Sequence, residues 1–418
     1  MSTLTRFELR KLIRRKSALL GLLGIIIVTS FVTLTTAFLE QSYDTSHKVK
    51  GFAAITLQKR YTQTFRGELT PAVLSDTVTS YLKIVQGPSY PSKAGIEGMT
   101  DILSNDGTYA AYPYSPIIDF LWQSFSFMGE HEQYTGASLT PEKAAALYDV
   151  RTAIIEKHLE DPLGVTSYSE SDMETFRHMN EKIAIPMKLD YARGWDVVLE
   201  FSYLFIIVTC FVLSICTAPV FASEYETGAD SIVLSTRHGR SKLISAKLKA
   251  SFLFASGMFL AGWLFTFTVS MIVYGASGWD LPLQMVTARF FFSPYPLTVL
   301  GAFLLTTLFG WLTCLAMVSI TLLLSSRMRT SFSVIIWSTV FFMAPLFIPS
   351  GKSRLLQDLL ALLPGRQTEV YSAFRGYELV HAFGLNFPLP YAIGAAALVI
   401  TIILLPFAYR GFRKHEVA

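Results

Sequence analysis

The tripeptide Gly351-Lys352-Ser353 has the residue types of a phosphate-binding loop, whose chemistry is to hold a nucleotide. Such a loop also needs a glycine five residues before the first glycine of the tripeptide, because its backbone amides wrap the phosphates. Leu346 occupies that position, inside an apolar stretch. The sequence therefore predicts no nucleotide-binding site here.

Glu174, His178 and Glu181 have the best spacing for binding a metal ion. On a helix over residues 171–184 they would share one face, and carboxylate and imidazole groups bind divalent metals. No further His or Cys lies nearby in the sequence, so an ordinary solvated helix face is favoured. HExxH and GxSxG motifs are also absent from the sequence. We therefore expect no metal, no cofactor and no catalytic site in this chain.

The composition is typical of a membrane protein. Of 418 residues, 51% are hydrophobic and only 16% are charged. A transmembrane helix needs roughly 20 mostly apolar residues, and six stretches meet or nearly meet that length. The cysteines Cys210, Cys216 and Cys314 lie inside these stretches and are interpreted as small apolar core residues. The six predicted spans are residues 17–39, 197–222, 251–274, 297–324, 331–349 and 391–409.

The first span follows a basic stretch, as the core of a signal peptide does. It is clearly longer than a cleavable core of about 7 to 15 residues, and no small-x-small site follows it. We therefore interpret residues 17–39 as a permanent span, preceded by an amphipathic cytoplasmic helix over residues 1–16.

Lys and Arg residues predict the orientation, because cationic side chains near span ends stay in the cytoplasm. They concentrate in residues 1–16, 223–249, 325–331 and 410–418, whereas the segment between the third and fourth spans has only Arg289. With six spans, those four segments share one side. Both termini are predicted to be cytoplasmic, in a multi-pass protein of the cell membrane. The net charge of +4 is interpreted as topology and lipid contact, not as nucleic-acid binding.

Residues 40–195 form the longest polar region and are predicted to be a mainly helical extracytoplasmic domain. Apolar spacing indicates helices at residues 71–85, 141–159 and 171–184. The aromatic stretch that begins at Pro116 suits either the core of this domain or a surface resting on the membrane or on cargo. The fold class is thus an α-helical membrane protein with a large external domain.

Two further features lie near the outer side of the predicted membrane. Residues 350–390 are predicted to form external or re-entrant helices. Glu200 lies at the outer end of the second span, where a carboxylate must reach water or a partner. It is a candidate for the translocation path, although extension of its side chain to the interface also satisfies it.

The segment between the second and third spans is too organised for a plain connecting loop. Ser223 with Glu226, or Thr227 with Asp230, could cap a short helix that ends near Ser235. Gly239 then permits a turn, and a helix from Arg240 leads into the third span, with Lys242, Lys247 and Lys249 directed at headgroups. An ordinary amphipathic loop is the alternative interpretation.

The pattern Glu224-x-Glu226-x-Gly228, followed by Ile232-Val233-Leu234-Ser235-Thr236, Arg240 and Lys247, resembles the coupling helix of type-2 ABC exporter permeases. The family pattern is E-x-E-x-G-T, then L-L-x-T-P-x-S-R and a later K. Ala229 replaces the Thr, and Arg237 replaces the turn Pro. The amphipathic N-terminal helix, the six spans and the large external domain are similar to the subset with bacterial peptide, antibiotic and lipid exporters.

This resemblance implies a permease subunit in a bacterial plasma membrane that exports an amphipathic or hydrophobic substrate. It implies two cytoplasmic ABC ATPase subunits, which hold ATP and Mg, and a second permease chain, identical or paralogous. The alternative is a sensor or mechanotransmission subunit that moves no cargo through its spans. The implied ATPase interface consists of Glu224, Glu226, Gly228, Ile232, Val233, Leu234, Arg237, Gly239 and Arg240, with secondary contacts at Arg6, Lys11, Arg14, Arg327 and Arg329.

Overall fold

The computed structural model describes residues 1–44, 47–85, 109–127, 139–162, 168–349, 354–382 and 385–414. Most of these residues are helical. The helices are α1 (Thr3–Ile13), α2 (Lys16–Leu39), α3 (Phe52–Thr64), α4 (Pro71–Val85), α5 (Ser115–Phe127), α6 (Pro141–Ala145), α7 (Leu147–Glu160), α8 (Glu170–Glu181), α9 (Arg193–Glu200), α10 (Ser202–Thr217), α11 (Ala222–Glu226), α12 (Ala229–Ser235), α13 (Ile244–Tyr274), α14 (Val299–Ser325), α15 (Ser331–Phe347), α16 (Arg354–Ala361), α17 (Val370–Ala373) and α18 (Leu389–Arg413).

Within the described residues, five helical stretches are long and apolar enough to cross a membrane. Helix α15 is a shorter apolar helix of 17 residues, which spans about 25 Å at 1.5 Å per residue. Six predicted spans therefore correspond to five long helices and one short one. The five are Lys16–Leu39, Arg193–Val220, Gly239–Tyr274, Val299–Ser325 and Leu389–Arg413.

Helix α14 is the most buried of the five and lies at the centre of the bundle. It contacts α10, α13, α15 and α18, with α18 as its most extensive neighbour. Hydrogen bonds between helices reinforce the apolar contacts: the indole of Trp263 donates to Thr307 over 2.7 Å, and that of Trp311 donates to Ser256 over 3.0 Å. Such bonds help to hold helices together where lipid offers no hydrophobic driving force between them.

The helix bounds differ from the predicted spans mainly beyond the apolar stretches. The helix that contains the second span begins four residues earlier than predicted, at Arg193, and breaks at Phe201. The helix of the third span begins at Ile244, four residues after the helix start predicted at Arg240, because a π-helical turn, Gly239–Leu243, precedes it. Apolar counting misses the extension at Arg193 because polar residues form its first turn.

The region after α2 combines helices with short strands. Strands β1 (Gln41–Tyr43) and β2 (Lys48–Lys50) pair antiparallel, as do β3 (Gly67–Glu68) and β4 (Lys188–Leu189). Helix α4 has the predicted bounds, but the predicted helix over residues 141–159 is divided at Ala146 into α6 and α7.

The aromatic stretch in α5 belongs to the core of this region. Ile117, Leu121 and Phe125 are buried there with Leu74 of α4 and Phe176 of α8. The core interpretation of the stretch is therefore correct for the side chains that the structure describes. The same core includes residues from the α13–α14 connection and from the end of the 354–382 segment, among them Phe291, Phe292, Tyr377 and Leu379.

Arg151 of α7 joins this region to the α13–α14 connection. Its guanidinium is buried and donates hydrogen bonds to the Phe291 carbonyl over 2.8 Å, the Ser293 carbonyl over 3.1 Å and Asn180 over 3.0 Å. A buried cation needs such partners to offset its desolvation. Arg151 thereby attaches this region to the connection between helices α13 and α14.

The prediction of helices throughout residues 350–390 is wrong for its final part. Helices α16 and α17 are followed by an antiparallel hairpin of β5 (Leu379–Ala382) and β6 (Leu385–Pro388). Asp172 of α8 accepts a hydrogen bond from Asn386 and lies 3.0 Å from the His381 ring nitrogen. The hairpin is thus held in place by α8, which lies far from it in the sequence.

Candidate functional site

Residues 222–243 form two short helices and a π-helical turn between α10 and α13. We name this stretch the coupling segment. Helix α12 begins after Gly228, which has φ +67°, a left-handed conformation that favours glycine. The predicted caps are wrong, because the hydroxyls of Ser223 and Thr227 donate backward to the carbonyls of Pro219 and Ser223.

Gly239 closes the predicted turn, since its N–H donates to the Thr236 carbonyl over 3.1 Å, and it also has a second role. Its φ is not in the left-handed region, but a Cβ at this position would lie 1.8 Å from the Val233 carbonyl oxygen. Real atoms do not approach so closely. Glycine therefore lets the π-helical turn pack directly against the backbone of α12.

A buried ion triad lies behind the coupling segment. The Nζ atom of Lys247 in α13 is 2.5 Å from the carboxylate of Glu224 in α11 and 3.7 Å from that of Glu8 in α1. It also donates to the Val220 carbonyl over 2.9 Å. The Lys247 side chain is 1% exposed. The prediction that Lys247 extends to headgroups is therefore wrong, whereas Lys242 and Lys249 are exposed.

The triad connects three helices through one cation. Lysine is almost never fully buried unless it is paired, and removing one partner from a buried ion pair costs about 3–5 kcal/mol. Each member of the triad thus depends on the others. Helices α1, α11 and α13 are held together at this point.

Glu224 is consequently not available for contact with another protein. Its side chain is about as buried as that of Glu8, and both point at Lys247. The sequence resemblance pointed to Glu224 and Lys247 but missed Glu8. A signal for it does exist: Thr5, Glu8 and Leu12 are the buried residues of α1, so the acid lies on the apolar face of a basic helix.

The coupling segment also contacts the connection between α14 and α15. The exposed Glu226 carboxylate accepts hydrogen bonds from the Ser331 backbone N–H over 2.5 Å and from its hydroxyl over 3.2 Å. The Tyr225 hydroxyl donates to the Ser326 carbonyl over 3.0 Å. Glu226 therefore occupies the N-terminus of α15, where a negative charge is favourable.

The remaining predicted interface residues divide by exposure. Ile232 is 71% exposed and Leu234 is buried, while Val233 is half-buried. Arg240 is exposed, and its Nε donates to the Leu234 carbonyl over 3.3 Å. An exposed apolar residue flanked by cations is suited to contact a partner. The exposed members of the predicted primary and secondary sets are Glu226, Gly228, Ile232, Arg237, Arg240, Arg6, Lys11, Arg14, Arg327 and Arg329.

Glu200 lies at the other end of α10 from the coupling segment. Its carboxylate is 3.1 Å from the guanidinium of Arg289. Both residues line a cavity of about 630 Å³. The Glu200 carboxylate is thus stabilised by the Arg289 cation, at the edge of this cavity.

The other candidate groups show no assembled site. The His178 ring lies 3.6 Å from Glu181 on an exposed face of α8, and the described residues contain no cluster of three metal-ligating side chains. Cys210, Cys216 and Cys314 are buried and free, with 3.7 Å between the sulfurs of Cys210 and Cys314. Gly351-Lys352-Ser353 lies outside the described residues.

The bundle of apolar helices, joined by a polar coupling segment, defines an α-helical membrane protein. A family model described as "ABC-2 family transporter protein" matches residues 3–409. The chain belongs to this family of ABC transporter permeases. Membrane subunits of this family normally lack a nucleotide-binding site and associate with an ABC ATPase. No curated protein matches the chain.

Proposed function

We propose that this chain is the permease subunit of an ATP-driven exporter for an amphipathic or hydrophobic substrate such as a peptide, an antibiotic or a lipid. Two cytoplasmic ATPase subunits bind it and hold the ATP and Mg. A second permease chain, identical or paralogous, completes the transporter. Both termini and the coupling segment lie in the cytoplasm of a bacterial cell, and the domain of residues 40–195 lies outside.

The observation that carries this proposal is the buried triad behind an exposed contact surface. Force applied at Ile232 and Arg237 displaces α11 and α12. Because Glu224 is bound to Lys247, and Lys247 is within 4 Å of Glu8, α13 and α1 move with them. A plain loop would absorb such a push without transmitting it.

The contacts of Glu226 and Tyr225 extend the same link to α14 and α15. Four of the apolar helices therefore respond to a displacement of one segment, since α10 enters it directly. This arrangement is suited to opening and closing a path between the helices, as an alternating-access exporter requires.

The proposal is tested by co-purification from native membranes in mild detergent. An ABC ATPase should be recovered with the wild-type chain, and an Ile232→Asp variant should lose most of that ATPase, because a carboxylate replaces the central apolar contact. Ile232→Leu should retain it. Val73→Asp, on an exposed face of α4 outside the coupling segment, is the matched control.

Recovery of no ATPase with the wild-type chain would contradict the proposal. Equal recovery of the ATPase with wild type and with Ile232→Asp would show that the coupling segment is not part of the interface. Charge reversal of Glu224 is a poor substitute for these variants, because it would disrupt the buried triad rather than the contact surface.

A second function, signalling from the external region without movement of cargo, is favoured by one observation. The core of that region is continuous with the α13–α14 connection and with the residues before α18. A ligand bound to the external region could thus change the arrangement of the membrane helices. ATP-dependent substrate movement in proteoliposomes that contain the whole complex would eliminate this function, whereas ligand-stimulated ATP hydrolysis without transport would support it.

A further inference from the structure

The chain passes from a long apolar helix to the coupling segment within a short stretch. Helix α10 is followed by a 3-10 turn, Ala218–Val220, and α11 begins at Ala222. We name residues 218–222 the junction. Every residue of the junction except Pro219 is buried. Helix ends leave backbone carbonyl and N–H groups without partners inside the helix, so two buried helix ends need partners from elsewhere.

One side chain of α14 satisfies three of these backbone groups. The hydroxyl of Ser325, the last residue of α14, donates to the Ala218 carbonyl over 2.6 Å. The same oxygen accepts from the N–H groups of Phe221 and Ala222, each over 3.0 Å. A serine hydroxyl has one donor and two acceptor sites, so its capacity is fully used. Ser325 is itself fully buried, so bulk water does not compete for these bonds.

Two neighbouring helices therefore hold the junction. Lys247 of α13 donates to the Val220 carbonyl over 2.9 Å, as part of the ion triad. Ser325 of α14 satisfies the groups on either side of that carbonyl. Its hydroxyl caps both the start of α11 and the turn after α10, although it lies more than 100 residues later in the sequence. The junction therefore cannot move relative to α14 without loss of these hydrogen bonds.

The bonds of Ser325 differ from those of Ser319 in the same helix. Ser319 is equally buried, but its hydroxyl donates to the Leu315 carbonyl of α14 itself over 2.9 Å. A bond to the preceding turn is the usual one for a buried serine within a helix. The hydroxyl of Ser325 is instead directed at another part of the chain. Its bonds therefore act between helices, whereas the bond of Ser319 acts within one.

We infer that Ser325 is the positioning residue that makes α14 follow the coupling segment. This role rests on the proposed function, in which an ATPase displaces that segment. Three hydrogen bonds fix the junction to the last residue of α14, so movement of α11 displaces α14 as well. Helix α14 has 27 residues and spans about 40 Å. It therefore carries the displacement to the connection of residues 275–298 at its other end.

The first test measures hydrogen–deuterium exchange in the purified full-length chain, without ATPase. Ser325→Ala should raise the exchange rates of the Phe221 and Ala222 amides about five- to tenfold, because the net contribution of a hydrogen bond corresponds to such a factor. Ser319→Ala is the matched control, since it removes an equally buried hydroxyl from the same helix. Exchange of the two amides should be the same in this control as in wild type.

Two further variants separate loss of the hydroxyl from loss of volume. Ser325→Cys keeps a side chain of similar size, but a thiol forms only weak hydrogen bonds. Its two amides should therefore exchange almost as fast as in Ser325→Ala. Ser325→Thr keeps the hydroxyl, and its amides should stay close to wild type. This pair decides the role of the hydroxyl even where the alanine variant does not fold.

The second test repeats the measurement on the complex with its ATPase, with and without Mg and a non-hydrolysable ATP analogue. In wild type, the nucleotide should change exchange in both the coupling segment and residues 275–298. In Ser325→Ala, the change in the coupling segment should remain, while that in residues 275–298 should fall at least about twofold, because the hydrogen bonds between α11 and α14 are lost. A general loss of folding would instead weaken both responses together.

Equal exchange of the Phe221 and Ala222 amides in wild type and Ser325→Ala would overturn the inference, as would the same increase in Ser319→Ala. So would a full response of residues 275–298 in the Ser325→Ala complex. A wild-type chain that binds no ATPase, or that shows no response to the nucleotide, would overturn the export function and the coupling role together. The first test does not involve the ATPase, so it distinguishes that failure from a failure of Ser325 to hold the junction.

Discussion

Replacing Lys247 with Met is the most direct perturbation of the proposed force transmission. Methionine has a similar length but no charge, so two carboxylates that are each about 10% exposed would lose their cation. Removing one partner of a buried ion pair costs about 3–5 kcal/mol. We expect Lys247→Met to lower the free energy of unfolding by that amount.

Lys249→Met is the matched control, because Lys249 lies on the same helix and is exposed. Its expected effect is small, since surface charges contribute little. Both variants are compared with wild type by chemical unfolding of the full-length protein in detergent. The measurement is made at low and at high salt, because a buried pair is screened much less than an exposed one.

The two carboxylates should not contribute equally. A double-mutant cycle between Lys247→Met and Glu224→Gln should give a larger coupling energy than the cycle with Glu8→Gln, because the first distance is 2.5 Å and the second 3.7 Å. The triple variant should recover most of the stability lost by Lys247→Met, since it leaves no unpaired charge. A loss below about 1 kcal/mol for Lys247→Met, or the same loss for Lys249→Met, would refute the reasoning.

Three further predictions concern other parts of the chain. Gly239→Ala should lower the free energy of unfolding by about 3 kcal/mol in the same assay, because its Cβ would overlap the Val233 carbonyl, whereas Gly257→Ala has open space and should be neutral or stabilising. Arg151→Met should cost about 3 kcal/mol, since two buried carbonyls and the partly buried Asn180 side chain lose their donor, and should speed limited proteolysis of the region between α2 and α9; Arg177→Met, at an exposed ion pair, should not. Burial alone would raise the pKa of Asp172, but hydrogen bonds from Ser169 and His381 outweigh it and hold the pKa below its ordinary value. Its contribution to stability is therefore complete above about pH 4, the usual pKa of an aspartate, and is lost as the pH falls through the lowered folded value. Thermal unfolding from pH 6 to pH 2 should show wild type losing its advantage over Asp172→Asn only in the acidic part of that range.

Apolar length predicted the membrane class, because the energetic demand of a hydrocarbon layer can be counted along a sequence. It did not predict that the helix of the second span begins at Arg193, because polar residues form its first turn. The strands β5 and β6 pair with each other as a hairpin, but the contacts that hold this hairpin come from Asp172, more than 200 residues away. Such distant contacts leave no local signal.

The coupling segment shows the same division between local and distant causes. Its exposed residues and its glycines could be identified from their types and spacing. The role of Lys247 could not, because a lysine near a predicted membrane surface ordinarily extends toward headgroups. Lys247 is buried because Glu224 and Glu8 both approach it, and Glu8 lies on a helix more than 200 residues earlier.

Two of the attachments of the coupling segment, the buried triad and the Glu226 contact, differ in strength, and that difference affects how a displacement of the segment is transmitted to the helices. The triad is buried, so its disruption is expensive and insensitive to salt. Glu226 is exposed, and its contact with the first residue of α15 resembles a helix cap, whose loss costs about 1 kcal/mol. Displacement of the segment should therefore carry α1 and α13 as one body. Because α15 is attached to the segment through this exposed contact, we expect it to separate from the segment before α1 and α13 do, without disruption of the triad.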